Sequence, residues 1–177
     1  MNERLTNWVL ENCKGDTLRC KKNQVLVHSC GTQSYTWVLL EGAMFTSVQA
    51  EDSDAEIANL IWRKGDIIHS LLDDIAITCN ALTDLVLLRV SSKELNECVK
   101  QNPELSWALA DYYHTLFRRT FANFCQSALV PSEERLRILQ QDLAAIPELK
   151  GVKISNDVLA LFLGMHRVSV SRLLNKN

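Results

Sequence analysis

The sequence predicts an α+β chain in three parts. These are an N-terminal antiparallel β-barrel of jelly-roll type over residues 1–102, a long helix over 103–130, and a C-terminal helical unit over 131–177. Three observations carry this. Between Lys21 and Ser92 the chain runs in short stretches rich in Val, Ile, Leu, Thr and aromatics, punctuated by Gly, Asp and Asn. From Ser92 the apolar period changes from that of strands to that of helices. Pro103 and Pro131 then bracket one long apolar-striped segment.

The strand candidates, in order, are "NQVLVHSC", "SYTWVLLEG", "AMFTSVQA", "AEIANLIWRKGD", "IAITCN" and "DLVLLRVS". Gly31, Gly42 and Gly65 separate several of them, and "QAEDSDAE" reads as the solvated acidic tip of a hairpin. "SSKELNECVKQN" is a short helix with Ser92 as its N-cap. Pro103 opens a helix of about 25 residues. Leu105, Leu109, Tyr112 and Leu116 form one stripe of it, and Phe117, Phe121, Phe124 and Ala128 continue on an adjoining stripe. One face covers the barrel. The other either is buried within the chain or pairs with the same helix of a second subunit, and the shortness of the chain favours the pair. After Pro131, "SEERLRILQQDLAAI" is a further helix closed by Pro147 and Gly151, and "KGVKIS" is an extended link.

The last segment, "SNDVLALFLGMHRVSVSRLL", reads as two helices at a steep angle, the first capped by Ser155. A close crossing needs a small residue on the first helix, here Ala160. A sharp turn with positive φ needs Gly164. Val170 and Leu173 press the second helix back on the first, and Leu159, Leu163 and Met165 fill the other buried positions. This Ala–x3–Gly–x5–Val–x2–Leu spacing is that of a helix-turn-helix, against the alternative of a solvated helical hairpin. Burial of Val170 and Leu173 turns Arg167, Val168, Ser171, Arg172 and Asn175 outward. Arginines there can reach guanine edges in the major groove of double-stranded DNA. Ser155 and Ser169, near helix starts, suit phosphate oxygens.

Composition bounds the rest. At 47% hydrophobic and 23% charged, the 177-residue chain lies in the range of ordinary globular proteins. No apolar run reaches the roughly 20 residues that span a bilayer, and the start, "MNERLTNWVLENCKGD", lacks a secretory core, so a cytoplasmic location without membrane attachment is expected. Net charge is −4 over residues 1–102, zero over 103–130 and +2 over 131–177, as suits a sensor joined to a nucleic-acid binder. The six cysteines form no CxxC pair. They read as free thiols, with a redox or iron–sulfur role for Cys13, Cys20 and Cys30 as the alternative.

The order of barrel, long helix and helix-turn-helix, together with "ISNDVLALFLGMHRVSVSRLL", resembles the Crp/Fnr family of bacterial transcription regulators. The resemblance spans about residues 20–177 and is specific over roughly the last 24. It implies a homodimer joined by the central helix, a barrel that senses a signal, paired helices reading a near-palindromic operator, and contact with RNA polymerase. Three departures stand out. In "KGDIIHSLLDDIAITCNALTD", Gly65 and Asp66 match the lead-in of the family's nucleotide cassette. His69 and Ser70 stand where its Gly-Glu pair would be, Asp73 and Asp74 follow, and no Arg comes before Arg89. Cyclic nucleotide binding is therefore not expected, and the effector is unidentified. Val168 replaces a frequent Glu; it cannot accept from a cytosine amine but can touch a thymine methyl. The sequence stops at Asn177, before the family's β-hairpin wing.

Two rivals remain. A metal-dependent enzyme of barrel type needs clustered His, but His28, His69, His114 and His166 form no HxH pair, and neither a GxSxG element nor a Gly-rich phosphate loop is written, so no enzyme is expected. A dimeric sensor or partner-binding module that has lost DNA binding is the other.

Overall fold

The computed structural model describes residues 3–28, 35–49, 56–68 and 77–175. The chain runs α1 (Glu3–Asn12), β1 (Gly15–Cys20), β2 (Val25–His28), β3 (Tyr35–Glu41), β4 (Ala43–Gln49), β5 (Glu56–Arg63), β6 (Ile67–Ile68), β7 (Ile77–Ala81) and β8 (Leu85–Ser91). Helices follow: α2 (Ser92–Gln101), α3 (Pro103–Leu129), α4 (Ser132–Ala144), a 3-10 turn (Pro147–Leu149), α5 (Asn156–Leu163) and α6 (Arg167–Leu174). The acidic hairpin tip at 50–55 and the cassette positions His69, Ser70, Asp73 and Asp74 lie outside the described residues.

Among the described residues the strands pair antiparallel in two four-stranded sheets, ordered β1-β8-β3-β6 and β2-β7-β4-β5. The expected closed barrel is thus corrected to an open sandwich. Among the described residues each sheet ends in its own edge strands, β1 and β6 in the first and β2 and β5 in the second, and no ladder joins the two. Trp37, Leu39, Met44, Leu60, Trp62, Cys79, Leu85 and Leu87 fill the space between the sheets. A second cluster, with Val38, Ile67 and Val90, lies on the outer face of the first sheet under α1, α2 and α3. A third, with Ala43, Phe45, Ala58 and Leu82, lies on the outer face of the second sheet under the C-terminal helices. Helical cover on both outer faces explains why β3 and β4 are buried almost throughout rather than alternately.

A bulge tunes the second sheet. Thr46 opposes Leu60 and Ser47 opposes Ala58, so Asn59 is the extra residue. It shifts Ala58 to the outer face, away from the inward Leu60 and Trp62. The unpaired Asn59 carbonyl accepts from Asn123 Nδ2 of α3 at 2.8 Å, and the Ile61 carbonyl accepts from Arg119 Nη2 at 2.7 Å. The edge of β5 is therefore occupied by side chains of the long helix rather than left open.

Two helix starts refine the expectation. Ser91, not Ser92, caps α2, accepting from Glu94 N, while the Ser92 hydroxyl is buried against Thr36 Oγ1 at 2.9 Å. Asn102 caps α3, accepting from the N–H groups of Glu104 and Leu105, with Pro103 at the first helical position.

Candidate nucleic-acid interface

The C-terminal helices form the expected angled pair. Ser155 Oγ accepts from Val158 N at 3.3 Å and so starts α5, leaving its own hydroxyl proton free to donate. At the far end Gly164 takes φ 59°. Its N–H bonds to the Leu161 carbonyl and that of Met165 to the Ala160 carbonyl at 3.0 Å, the paired bonds of a left-handed helix stop. A β-carbon on Gly164 would meet only Ile57 Cδ1 at 3.7 Å, so the backbone angle, not crowding, demands glycine. Ala160, Leu159 and Leu163 are buried with Val170, which is wholly inaccessible, and Leu173 and Met165 pack against them.

With Val170 inward, α6 turns a definite face to solvent. At about 100° per residue, Val168, Arg172 and Asn175 lie within about 40° of the direction opposite Val170, Ser169 and Ser171 lie about 80° to its two sides, and Arg167 lies about 120° away, beyond Ser171. Accessibility agrees: Val168, Arg172 and Asn175 are exposed, Ser171 half-buried and Ser169 half-buried. Asn156 Nδ2 donates to Ser171 Oγ at 2.9 Å, and Arg167 Nε stands 3.5 Å from Asp157 Oδ1. The start of α5, with Ser155, and the outward face of α6 therefore share one surface. Lys153, exposed two residues before Ser155, adds positive charge at its margin. Asn156 and Asp157 are contributors that spacing does not reveal. They read as first-turn helix formers, and only the crossing angle brings them to α6.

Helix α3 carries a second unpartnered surface. Leu105, Ala108 and Tyr112 are buried against the first sheet, with Leu109 and Leu116 packed beside them. On the opposite side Trp107, Ala110, His114, Phe117, Phe121, Phe124 and Ala128 are all exposed, and they repeat at strict intervals of three and four. Phe117 and Phe121 stack with ring centroids 5.9 Å apart.

Of the cysteine candidates, Cys13 and Cys20 are not brought together. Cys13 follows α1 and packs under the helices, whereas Cys20 is buried between the sheets; Cys30 lies outside the described residues. Burial raises both thiols above the ordinary cysteine value, with the neighbouring Cys98 thiol and Glu94 adding to the effect on Cys13. Among the described residues no three His, Cys, Asp or Glu side chains are grouped to hold a metal ion, and no helix is long and apolar enough to cross a membrane.

No protein-family model matches the sequence, and no curated protein matches it by sequence. Solved structures do match. The c-di-GMP-responsive global regulator CLP of Xanthomonas campestris superposes with a TM-score of 0.78 at 15% identity, over 98% of this chain and 90% of that one. FixK2 of Bradyrhizobium japonicum gives 0.74 at 13% identity, over 92% and 84%. A Crp/Fnr-family transcriptional regulator of Thermus thermophilus gives 0.70 at 20% identity, over 91% and 84%. The chain has the fold of these Crp/Fnr regulators.

Proposed function

We propose that this chain is a DNA-binding transcription regulator of the Crp/Fnr type, acting in the bacterial cytoplasm as a homodimer on a near-palindromic operator. It is a binding protein and not an enzyme. The observation that carries the reading is the outward face of α6. Its polar side chains stand on a helix held at a left-handed glycine turn by a fully buried valine, at the end of a chain with the regulators' fold. Arg172, at the centre of that face, is suited to the O6 and N7 acceptors of guanine. Arg167, Ser169 and Ser155 lie at its margins, where phosphate oxygens of a duplex would run, and Ser171 is held by Asn156 beside Arg172.

The exposed three-four repeat on α3 supports the dimer. Three phenylalanines and Trp107 on one helical line leave a large apolar surface in water, and a second copy about a two-fold axis would bury it. Two copies would then offer two α6 helices to successive major grooves, which is the symmetry a palindrome has.

Selection of bound sequences from a random duplex pool with the full-length protein tests this. The expected product is a palindrome whose affinity falls steeply with salt. Arg172→Ala relaxes preference at one symmetric pair of positions by about 5- to 150-fold, whereas Ser169→Ala weakens binding to all sequences alike. Recovery of no enriched sequence, with no salt-dependent binding to random duplex, overturns the reading in favour of a dimeric sensor without DNA binding.

A further inference from the structure

We infer that Val168 is a base-reading residue that recognises the C5-methyl group of thymine, so that each operator half-site carries a thymine within two base pairs of the guanine taken by Arg172. The inference rests on the proposed DNA-binding role of α6 and specifies what that helix reads.

Val168 is 60% exposed on the first turn of α6, and it is the one large apolar side chain on the outward face. Folding gives no reason for it there. The helix is anchored by Val170, Leu173 and Leu174, which pack into the C-terminal cluster, and a β-branched residue on an exposed helical turn is disfavoured locally. Its companions on and beside that face, Arg167, Ser171, Arg172 and Asn175, all carry hydrogen-bonding groups. Val168 has neither donor nor acceptor. Of the groups that base edges offer in the major groove, the thymine methyl alone is apolar. Valine over a cytosine amine would instead strip that donor of water and return no hydrogen bond.

Geometry gives the neighbour. Val168 and Arg172 are four residues apart, so their side chains project about 40° apart and about 6 Å along the helix axis. Duplex base pairs rise about 3.4 Å each, which sets the two contacts one or two base pairs apart. Arg167 does not compete for the same place. It lies on the flank of the face and is drawn toward Asp157 of α5.

The experiment replaces single atoms of the DNA. On the operator recovered by selection, each thymine of a half-site is exchanged for deoxyuridine, which removes the C5-methyl and leaves every hydrogen-bonding group. Affinity is measured at fixed salt. At one thymine position wild type should lose about fourfold per half-site, the equivalent of one buried methyl group. Exchanging that thymine for cytosine should weaken binding further, and 5-methylcytosine should recover part of the loss. Val168→Ala should bind the parent operator more weakly and respond less than twofold to deoxyuridine at the same position. Its thermal melt should fall no lower than wild type, since Val168 lies outside the C-terminal cluster and alanine favours the helix. If a palindrome is recovered and Arg172→Ala relaxes it, yet no deoxyuridine exchange alters wild-type affinity, this inference is overturned and the proposed function stands. The same holds if Val168→Ala answers to deoxyuridine as wild type does. If no DNA is bound at all, both fall.

Discussion

Asp66 shows how a single side chain can couple the fold to pH. It is buried at the turn into β6, where its Oδ2 accepts from Arg63 N at 3.0 Å. Burial raises its carboxyl above the ordinary aspartate value. The Arg63 backbone bond and the Arg119 and Arg63 charges offset this only in part. The folded state therefore holds this proton to higher pH than the unfolded state does. As pH rises from the unfolded value through the folded one, the unfolded chain binds fewer protons, and stability falls across that window. Asp66→Asn keeps an oxygen acceptor for Arg63 N and removes the charge. It should raise the melting temperature at pH 7 and change it little at pH 3, where the native carboxyl is already neutral. Equal melting temperatures for variant and wild type at pH 7 would count against burial as the dominant cause. Gly164 makes a second test. At φ 59° any side chain is strained, so Gly164→Ala should destabilise the chain by about 1–2 kcal/mol, read as a lower urea midpoint with unchanged slope. Both residues were visible as sequence features, Gly164 by its place between two apolar runs and Asp66 by its Gly-Asp pair. The burial of Asp66 was not, because it depends on α3 arriving from elsewhere in the chain.

At the level of elements, the two stripes of α3 face different ways, one into the sandwich and one to solvent. Sequence spacing finds both stripes but assigns Leu109 and Leu116 to the subunit seam, where a charge at either would be expected to give monomers. In the structure these leucines pack inward, and the outward repeat runs from Trp107 to Ala128 through Phe117, Phe121 and Phe124. The physical reason is rotation. A helix of 27 residues with apolar groups on two adjoining lines can turn either line to the sheets, and the choice falls to Tyr112, whose hydroxyl donates to the Ile67 carbonyl at 2.7 Å. Phe121→Glu should then yield folded monomers, whereas Leu109→Glu should lower the melting temperature because it buries a charge. Sedimentation separates the two outcomes, and Phe121→Glu that remains dimeric at micromolar concentration would refute the seam. Other elements were less legible. Sequence spacing assigns no element over residues 3–20, although Leu5, Trp8 and Val9 stand at helical spacing in the segment that forms α1, and β1 follows it. Strand β1, "GDTLRC", carries only Leu18 and Cys20 as apolar groups and owes its extended form to pairing with β8 about 70 residues away. The cap at Ser155 and the turn at Gly164 were readable in advance, since each is decided within a few residues of itself, whereas Asn102 is passed over for the Pro103 that follows it.

Across the whole molecule, the layers are joined more closely than a string of separate parts would be. The C-terminal helices do not have a core to themselves. Leu136, Leu143, Leu149, Leu159, Ala160, Leu163 and Val170 share one cluster with Ala43, Phe45, Ala58 and Leu82 of the sandwich. The contact is concentrated where α5 lies on β5, and its centre is the tilted pair Phe45–Phe162, ring centroids 5.3 Å apart. The same β5 strand is gripped on its edge by Arg119 and Asn123 of α3. One strand thus touches both the long helix and the first helix of the candidate DNA-reading pair. The bulge at Asn59 makes this possible by giving α5 a small, flat Ala58 on the outer face and α3 a free carbonyl on the edge. None of this could be read from local pattern, because the outward positions Ala43, Phe45 and Ala58 are apolar like the inward Met44, Leu60 and Trp62. Sharing a core predicts shared unfolding. Wild type should melt in one calorimetric transition, since loss of the helical unit would expose Phe45 and loss of the sheet would expose Leu159 and Leu163. Phe45→Ala removes a ring that is only 3% exposed and should cost about 3–5 kcal/mol. Most of that cost falls on the contact between the layers, so the single transition should divide into two, the earlier belonging to the C-terminal helices. Phe162→Ala should divide it in the same way, and the double variant should lose less than the two single losses added, as expected of partners in one contact. A single transition in both variants, moved down in temperature but not divided, would mean that the layers hold together through the remaining cluster and that the Phe45–Phe162 pair is not what couples them.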